Sequence, residues 1–123
     1  MRRATLAAAA LLGLASGLIA VPAHAQYGAI AWDKETGKYG ASWNQDTPKR
    51  AEEVALGDCG ATGCKVIIRT RRTLCAAVAT NEIGKDAGGA SRRDRDAARL
   101  SALNNCKKGN AGECTVRVTD CNK

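Results

Sequence analysis

The sequence predicts an α+β domain: an antiparallel sheet with two helices packed on it, built from two pseudo-repeated ββαβ units (about 27–70 and 75–121) and closed by three disulfides. Three observations carry this. The stretch AEEVALGDCGATGCKVIIR matches AARLSALNNCKKGNAGECTVRV, with Ala51, Ala55, Leu56 and Cys59 falling on Ala98, Ala102, Leu103 and Cys106 at one constant offset. Six cysteines follow an export signal, and an even count in a small exported chain reads as a disulfide framework. Helix-start signals and β-branched runs then alternate in the same order in both copies.

The chain opens MRRATLAAAALLGLASGLIAVPAHA. Arg2 and Arg3 form a basic head, Leu6 to Val21 a short apolar run, and Ala23-His24-Ala25 a small-x-small cleavage site. Residues 1–25 therefore read as a secretory signal, with no transmembrane segment left after its removal and an exported, periplasmic or secreted, product. Residues 26–123 form the expected single domain, with 17 basic against 12 acidic residues. The one histidine of the chain, His24, lies in the signal. The domain thus has no imidazole, which argues against most metal centres, histidine-dependent triads and neutral-pH general bases.

Each copy begins with a strand, a glycine turn and a second strand: Tyr27–Trp32, Gly37, then Tyr39–Trp43. A helix follows, with Thr47 as its cap and Pro48 at its first position. Ala51, Val54, Ala55 and Cys59 recur at helical spacing. CGATGC turns the chain into the strand Lys65–Arg69. In the second copy CAAVAT (75–80) takes the place of YGAIAW, Ser91 with Asp94 three residues on resembles a capping box, and the helix runs to about Asn105. The last strand is Cys114–Cys121, and the glycine-rich segment near 85–90 supplies the remaining one. Alanines at 51, 55, 98 and 102 form the buried stripes. With no phenylalanine and few large aliphatics, the core is thin, and cross-links compensate.

The cysteines admit three readings. Zinc needs four ligands, usually in closely spaced pairs, and the Cys106/Cys114 spacing fits poorly. A redox motif needs C-x-x-C, which is missing from the sequence. The structural reading pairs Cys59 with Cys64 and Cys106 with Cys114, each pinning a helix end to the next strand, and leaves Cys75 with Cys121. No metal and no cofactor are expected.

Two further groups of residues are candidates for partner binding. Tyr39 and Trp43 share a strand face and form either a stacking platform or core bulk. Arg69, Arg71 and Arg72 in RTRR, and Arg92, Arg93, Arg95 and Arg99 in RRDRDAAR, are either solvated surface or contacts for an anionic partner. That partner is an unidentified protein or an anionic envelope component. Nucleic acid is not expected, because no recognition motif is present. No pattern sets an oligomeric state. Catalysis has thin support: Ser42, Ser91 and Ser101 lack an activating base, and Glu52, Glu53 and Asp58 are the best carboxylate candidates.

Taken together, YGAIAWDKETGKYGASWN, RAEEVALGDCGATGCKVIIR, CAAVAT and AARLSALNNC…CTVRVTDC resemble the bacterial family known as domain of unknown function 4189, over about residues 27–121. The family order implied is a GAIA strand, an A-x-x-x-AL-x-x-C helix, a C-K-V strand and a following C-A/G-A strand. This chain departs from it at NEIGKDAGGASRRDRD, which lacks an aromatic glycine-rich strand. The resemblance implies export, fold and disulfides, and brings no catalytic residue. The expected function is a small non-enzymatic binding domain of the cell envelope, of inhibitor or immunity type. A secreted effector acting on a host or competitor is the alternative, and a histidine-free carboxylate enzyme the third.

Overall fold

The computed structural model describes residues 26–109 and 112–123. The expected signal, residues 1–25, lies outside them. Eight elements run in the order β1 (Tyr27–Trp32), β2 (Tyr39–Gln45), α1 (Pro48–Cys59), β3 (Lys65–Thr70), β4 (Cys75–Asn81), β5 (Ala87–Arg92), α2 (Arg95–Lys107) and β6 (Cys114–Cys121). This is the ββαβ unit twice. The antiparallel sheet is realised as two three-stranded sheets, ordered β2-β1-β3 and β5-β4-β6.

Alternation along the central strands explains why there are two sheets. Ala29 and Ala31 of β1 turn to α1, where they bury against Ala51, Ala55 and Cys59. Ala77 and Ala79 of β4 turn to α2 and bury against Ala98, Ala102 and Cys106. The opposite faces carry Ile30, Ala76 and Val78, and these meet each other, with Trp43, Ile67, Ile68 and Val118 around them. Both faces of both central strands are thus apolar, and the layers stack helix–sheet–sheet–helix. β1 lies against β4, β2 against β6 and β3 against β5. Exchanging the two units maps this contact set onto itself, which is the relation of a pseudo-two-fold axis.

Small residues make the layers possible. A Cβ on Gly40 would meet the backbone of Ala55, Asp58 and Cys59 well inside 3.0 Å, and one on Gly88 would meet Ala102, Asn105 and Cys106 in the same way. Each helix therefore sits on a strand glycine at its C-terminal end. Asp58 accepts a hydrogen bond from the Ala41 amide at 2.9 Å, and its counterpart Asn105 donates to the Gly89 carbonyl at 3.0 Å. The disulfides Cys59–Cys64, Cys106–Cys114 and Cys75–Cys121 follow the repeat. They use all six sulfurs, so no thiolate is left as a ligand or nucleophile.

Local signals explain the ends of the elements, with one correction. Thr47 caps α1 by accepting from the Arg50 amide at 3.0 Å, and Gly60 ends it at φ 71°. At α2 the cap is Asp94, which accepts from the Ala97 amide at 2.9 Å. Ser91 is not the cap. It belongs to β5, because an aspartate one residue before the helix does the capping and the chain from Ala87 is still paired with β4. The β5 strand itself contains no aromatic residue. Gly88 admits the helix, and Gly89 admits the Ile68 side chain from the other sheet, so close approach replaces β-propensity there.

Candidate functional site

The fold brings the end of the first arginine cluster and the start of the second together, through Thr70 and Ser91, 21 residues apart in the chain. β3 ends at Thr70 and β5 ends at Arg92, and these two edge strands lie against each other across the sheet–sheet interface. The Ser91 hydroxyl donates to Thr70 Oγ1 at 2.9 Å and ties the strand ends together. Arg69, Arg71 and Arg72 leave one side of that bond, and Arg92 and Arg93 the other. All five side chains are exposed.

At this end lies an open groove of about 340 Å³, lined by Tyr27, Pro48, Arg69, Thr70, Arg71, Leu74 and Ser91, so that two of the five arginines, Arg69 and Arg71, border it directly. Its walls are mainly apolar, from the Tyr27 ring, Pro48 and Leu74. Its polar floor is internally satisfied. The buried Thr70 hydroxyl receives both Ser91 and, at 3.4 Å, the Asn122 amide. The same amide donates to the Arg71 carbonyl at 3.1 Å and the Leu74 carbonyl at 3.3 Å. Asn122 Oδ1 accepts from the Asn44 amide at 3.0 Å, and Asn44 Oδ1 accepts from the Lys123 amide at 2.8 Å. The C-terminal end of the second unit thus locks the loop that follows β3 and holds Arg71 and Leu74 in place.

The charges on this rim are unequally matched. Arg69 is paired with Glu52 of α1, and Arg95 with Asp120 at 3.3 Å. Arg71, Arg72, Arg92 and Arg93 make no ion pair with a carboxylate among the described residues. Of these four, Arg71 lines the groove; Arg72 follows it in the chain, Arg92 and Arg93 follow the lining residue Ser91, and the Arg92 guanidinium donates to the Ser91 carbonyl at 2.7 Å.

The other candidates sit elsewhere. Trp43 packs between the sheets and supplies core bulk. Tyr39, 39% exposed, stands at the opposite end of β2, beside Gly37, Gly84, Ile83 and Arg117. The two aromatics therefore form no common platform. The carboxylate candidates do not converge. Glu52 pairs with Arg69, Glu53 with Arg50 at 3.6 Å, and Asp58 with the Ala41 amide.

The one resolved pKa shift is also remote from the groove. Asp33 is held below its ordinary value, mainly by the Thr36 hydroxyl and then by the Glu35 amide, against the opposing cost of burial. Among the described residues, no cluster of histidine, cysteine or acidic side chains could hold a metal ion, and no helix is long and apolar enough to cross a membrane.

Sequence reasoning missed Tyr27, Pro48, Thr70 and Leu74 as groove residues, and Arg117. Arg117 donates to the Thr80 hydroxyl at 2.8 Å and to the Asn81 carbonyl at 3.2 Å. The available signal for the rim was the RTRR run itself, in which Arg69 and Thr70 close β3 and Arg71 opens the loop after it.

Comparison with known proteins gives relatives without an assigned activity. The family described as "Domain of unknown function (DUF4189)" matches residues 27–121. The uncharacterized protein Rv1813c of Mycobacterium tuberculosis is 43% identical over 89 residues, 72% of this chain and 59% of that protein. The protein Rv1269c of the same organism is 45% identical over 56 residues, 46% of this chain and 43% of that protein. This chain thus matches about three fifths of the length of the first of these relatives. Among solved structures, the NMR structure of Rv1813c superimposes with a TM-score of 0.58 at 33% identity, covering 99% of both chains.

Proposed function

The chain belongs to the DUF4189 family, and on that premise we propose that it is an exported, non-enzymatic binding domain of the cell envelope that holds an anionic partner at the basic groove. The observation that carries this reading is an apolar-walled groove lined by Arg69 and Arg71, at strand ends that also carry the exposed Arg72, Arg92 and Arg93, which make no ion pair among the described residues. Uncompensated like charge on one end of a small domain costs stability through self-repulsion, and an anionic partner recovers that cost. Three disulfides support an oxidising compartment. The absence of histidine from residues 26–123 supports a role without general-base chemistry. An inhibitor or immunity-type role is the form this takes if the partner is itself an envelope protein.

The test is retention of envelope components on the immobilised, oxidised chain. We expect retention that falls steeply as salt rises above about 0.15 M, where screening shortens to roughly 8 Å. We also expect it to be lost in the Arg71→Ala, Arg92→Ala double variant. Retention that is unaffected by salt and by that variant overturns the reading, as does no retention by a correctly folded chain.

A further inference from the structure

We propose that the groove's partner is a protein, bound through an extended acidic segment that seats one apolar side chain on Tyr27, Pro48 and Leu74. This rests on the anionic-partner reading and adds the ligand class. The groove combines two features that select different parts of a ligand. Its walls are apolar, and its floor hydroxyls and the Asn122 amide are already bonded to each other and to backbone carbonyls. The floor therefore offers a ligand shape and dispersion, with few polar contacts.

The attraction left for a charged ligand lies on Arg71, which lines the groove, and on the exposed Arg72, Arg92 and Arg93 that flank lining residues in the chain. A guanidinium presents a planar fork that matches a carboxylate in a bidentate way. A volume of about 340 Å³ is at the small end of ligand sites, enough for one or two side chains. One buried anchor with charged contacts around it is the usual energetic layout of a peptide contact.

Other anions use only half of this layout. A sulfated or phosphorylated polysaccharide would engage the rim and leave the apolar walls unused. A lipid would engage the rim, but its acyl chain needs a longer apolar channel than three side chains provide. An acidic segment with a leucine or phenylalanine anchor uses both. Arg69 has a part as well: its partner Glu52 is a carboxylate on this chain, and a ligand carboxylate can exchange with it.

The experiment is fluorescence polarisation with the full oxidised chain and a labelled ten-residue peptide of aspartate and glutamate around a central phenylalanine. Three probes accompany it: the same peptide with serine at the centre, vesicles of phosphatidylglycerol, and a sulfated polysaccharide. We expect the anchored peptide to bind and to lose about tenfold in affinity or more when the anchor becomes serine. A similar loss is expected in Arg71→Ala, Arg92→Ala and in Leu74→Ser, with Lys107→Ala at the C-terminal end of α2 unchanged. Binding of vesicles or polysaccharide in preference to the peptide, or indifference to the anchor, overturns the protein-segment proposal and leaves the anionic-partner reading standing. Failure of all four probes on folded protein, together with no salt-sensitive retention of envelope material, overturns both.

Discussion

Ser91 and Thr70 meet hydroxyl to hydroxyl at 2.9 Å, across the interface between two different sheets. This bond joins the two strand ends from which Arg71 and Arg92 leave. Thr70 is buried, and Ser91 sits half-buried at the groove. Replacing Ser91 by alanine removes one donor and leaves Thr70 with the longer bond from Asn122. We expect a loss of about 1 kcal/mol, seen as a fall in Tm of roughly 4–8 °C for a domain of this size. Thermal unfolding followed by circular dichroism measures it.

The three disulfides should differ in what their loss costs. Cys59–Cys64 and Cys106–Cys114 close short loops, with separations of 5 and 8, and Cys75–Cys121 closes one with a separation of 46. The chain-entropy account gives about 2, 2.5 and 4 kcal/mol respectively. Paired cysteine-to-serine variants, unfolded in guanidinium, should rank in that order, with Cys75→Ser, Cys121→Ser the least stable.

Two glycines on the strands and one on a helix should respond to alanine with opposite signs. At Gly40 and Gly88 an added Cβ meets helix backbone, which cannot give way, so about 3 kcal/mol or more is lost. Gly57 lies inside α1, and nothing stands within 4 Å of its Cβ position. Gly57→Ala should therefore stabilise the chain by about 0.5–1 kcal/mol through helix propensity and a more restricted unfolded state. Denaturation midpoints of the three variants decide this.

Asp33 should make the first unit acid-sensitive. Its carboxylate is held below the usual 3.8 by the Thr36 hydroxyl at 2.8 Å and the Glu35 amide at 2.9 Å. A lowered folded-state pKa contributes stability that is full above the unfolded value and is lost as pH falls through the folded one. The second unit has Asn81 at the equivalent place, accepting from the Asp86 amide at 3.2 Å, so an amide fits this turn. Wild type should lose stability relative to Asp33→Asn as pH drops below 3.8. Urea unfolding across roughly pH 2–6 measures the difference.

Much of this architecture was legible because local chemistry determines it. Thr47-Pro48 places a favoured cap before a favoured first helical residue, and α1 starts there. The repeat pairs Cys59 with Cys64 and Cys106 with Cys114. Other features depend on contacts between distant segments. The division into two sheets follows from both faces of β1 and β4 being apolar, and in an alanine-rich strand such as CAAVAT the pattern does not distinguish one buried face from two. The β5 strand is hidden because glycine lowers β-propensity, while its role is to admit a helix and Ile68. Ser91 reads as a cap from spacing, until Asp94 takes that place. The groove was the least legible of all, since its walls come from the start of β1, the start of α1 and the loop after β3.

The location of binding is the central claim, and amide chemical shifts test it most directly. Titrating the ¹⁵N-labelled full chain with the acidic, phenylalanine-anchored peptide should move the amides of Tyr27, Thr70, Arg71, Leu74, Ser91 and Arg92 together. Saturating shifts centred instead on the Tyr39, Ile83 and Arg117 end, or spread evenly over all exposed arginines and lysines, would contradict it.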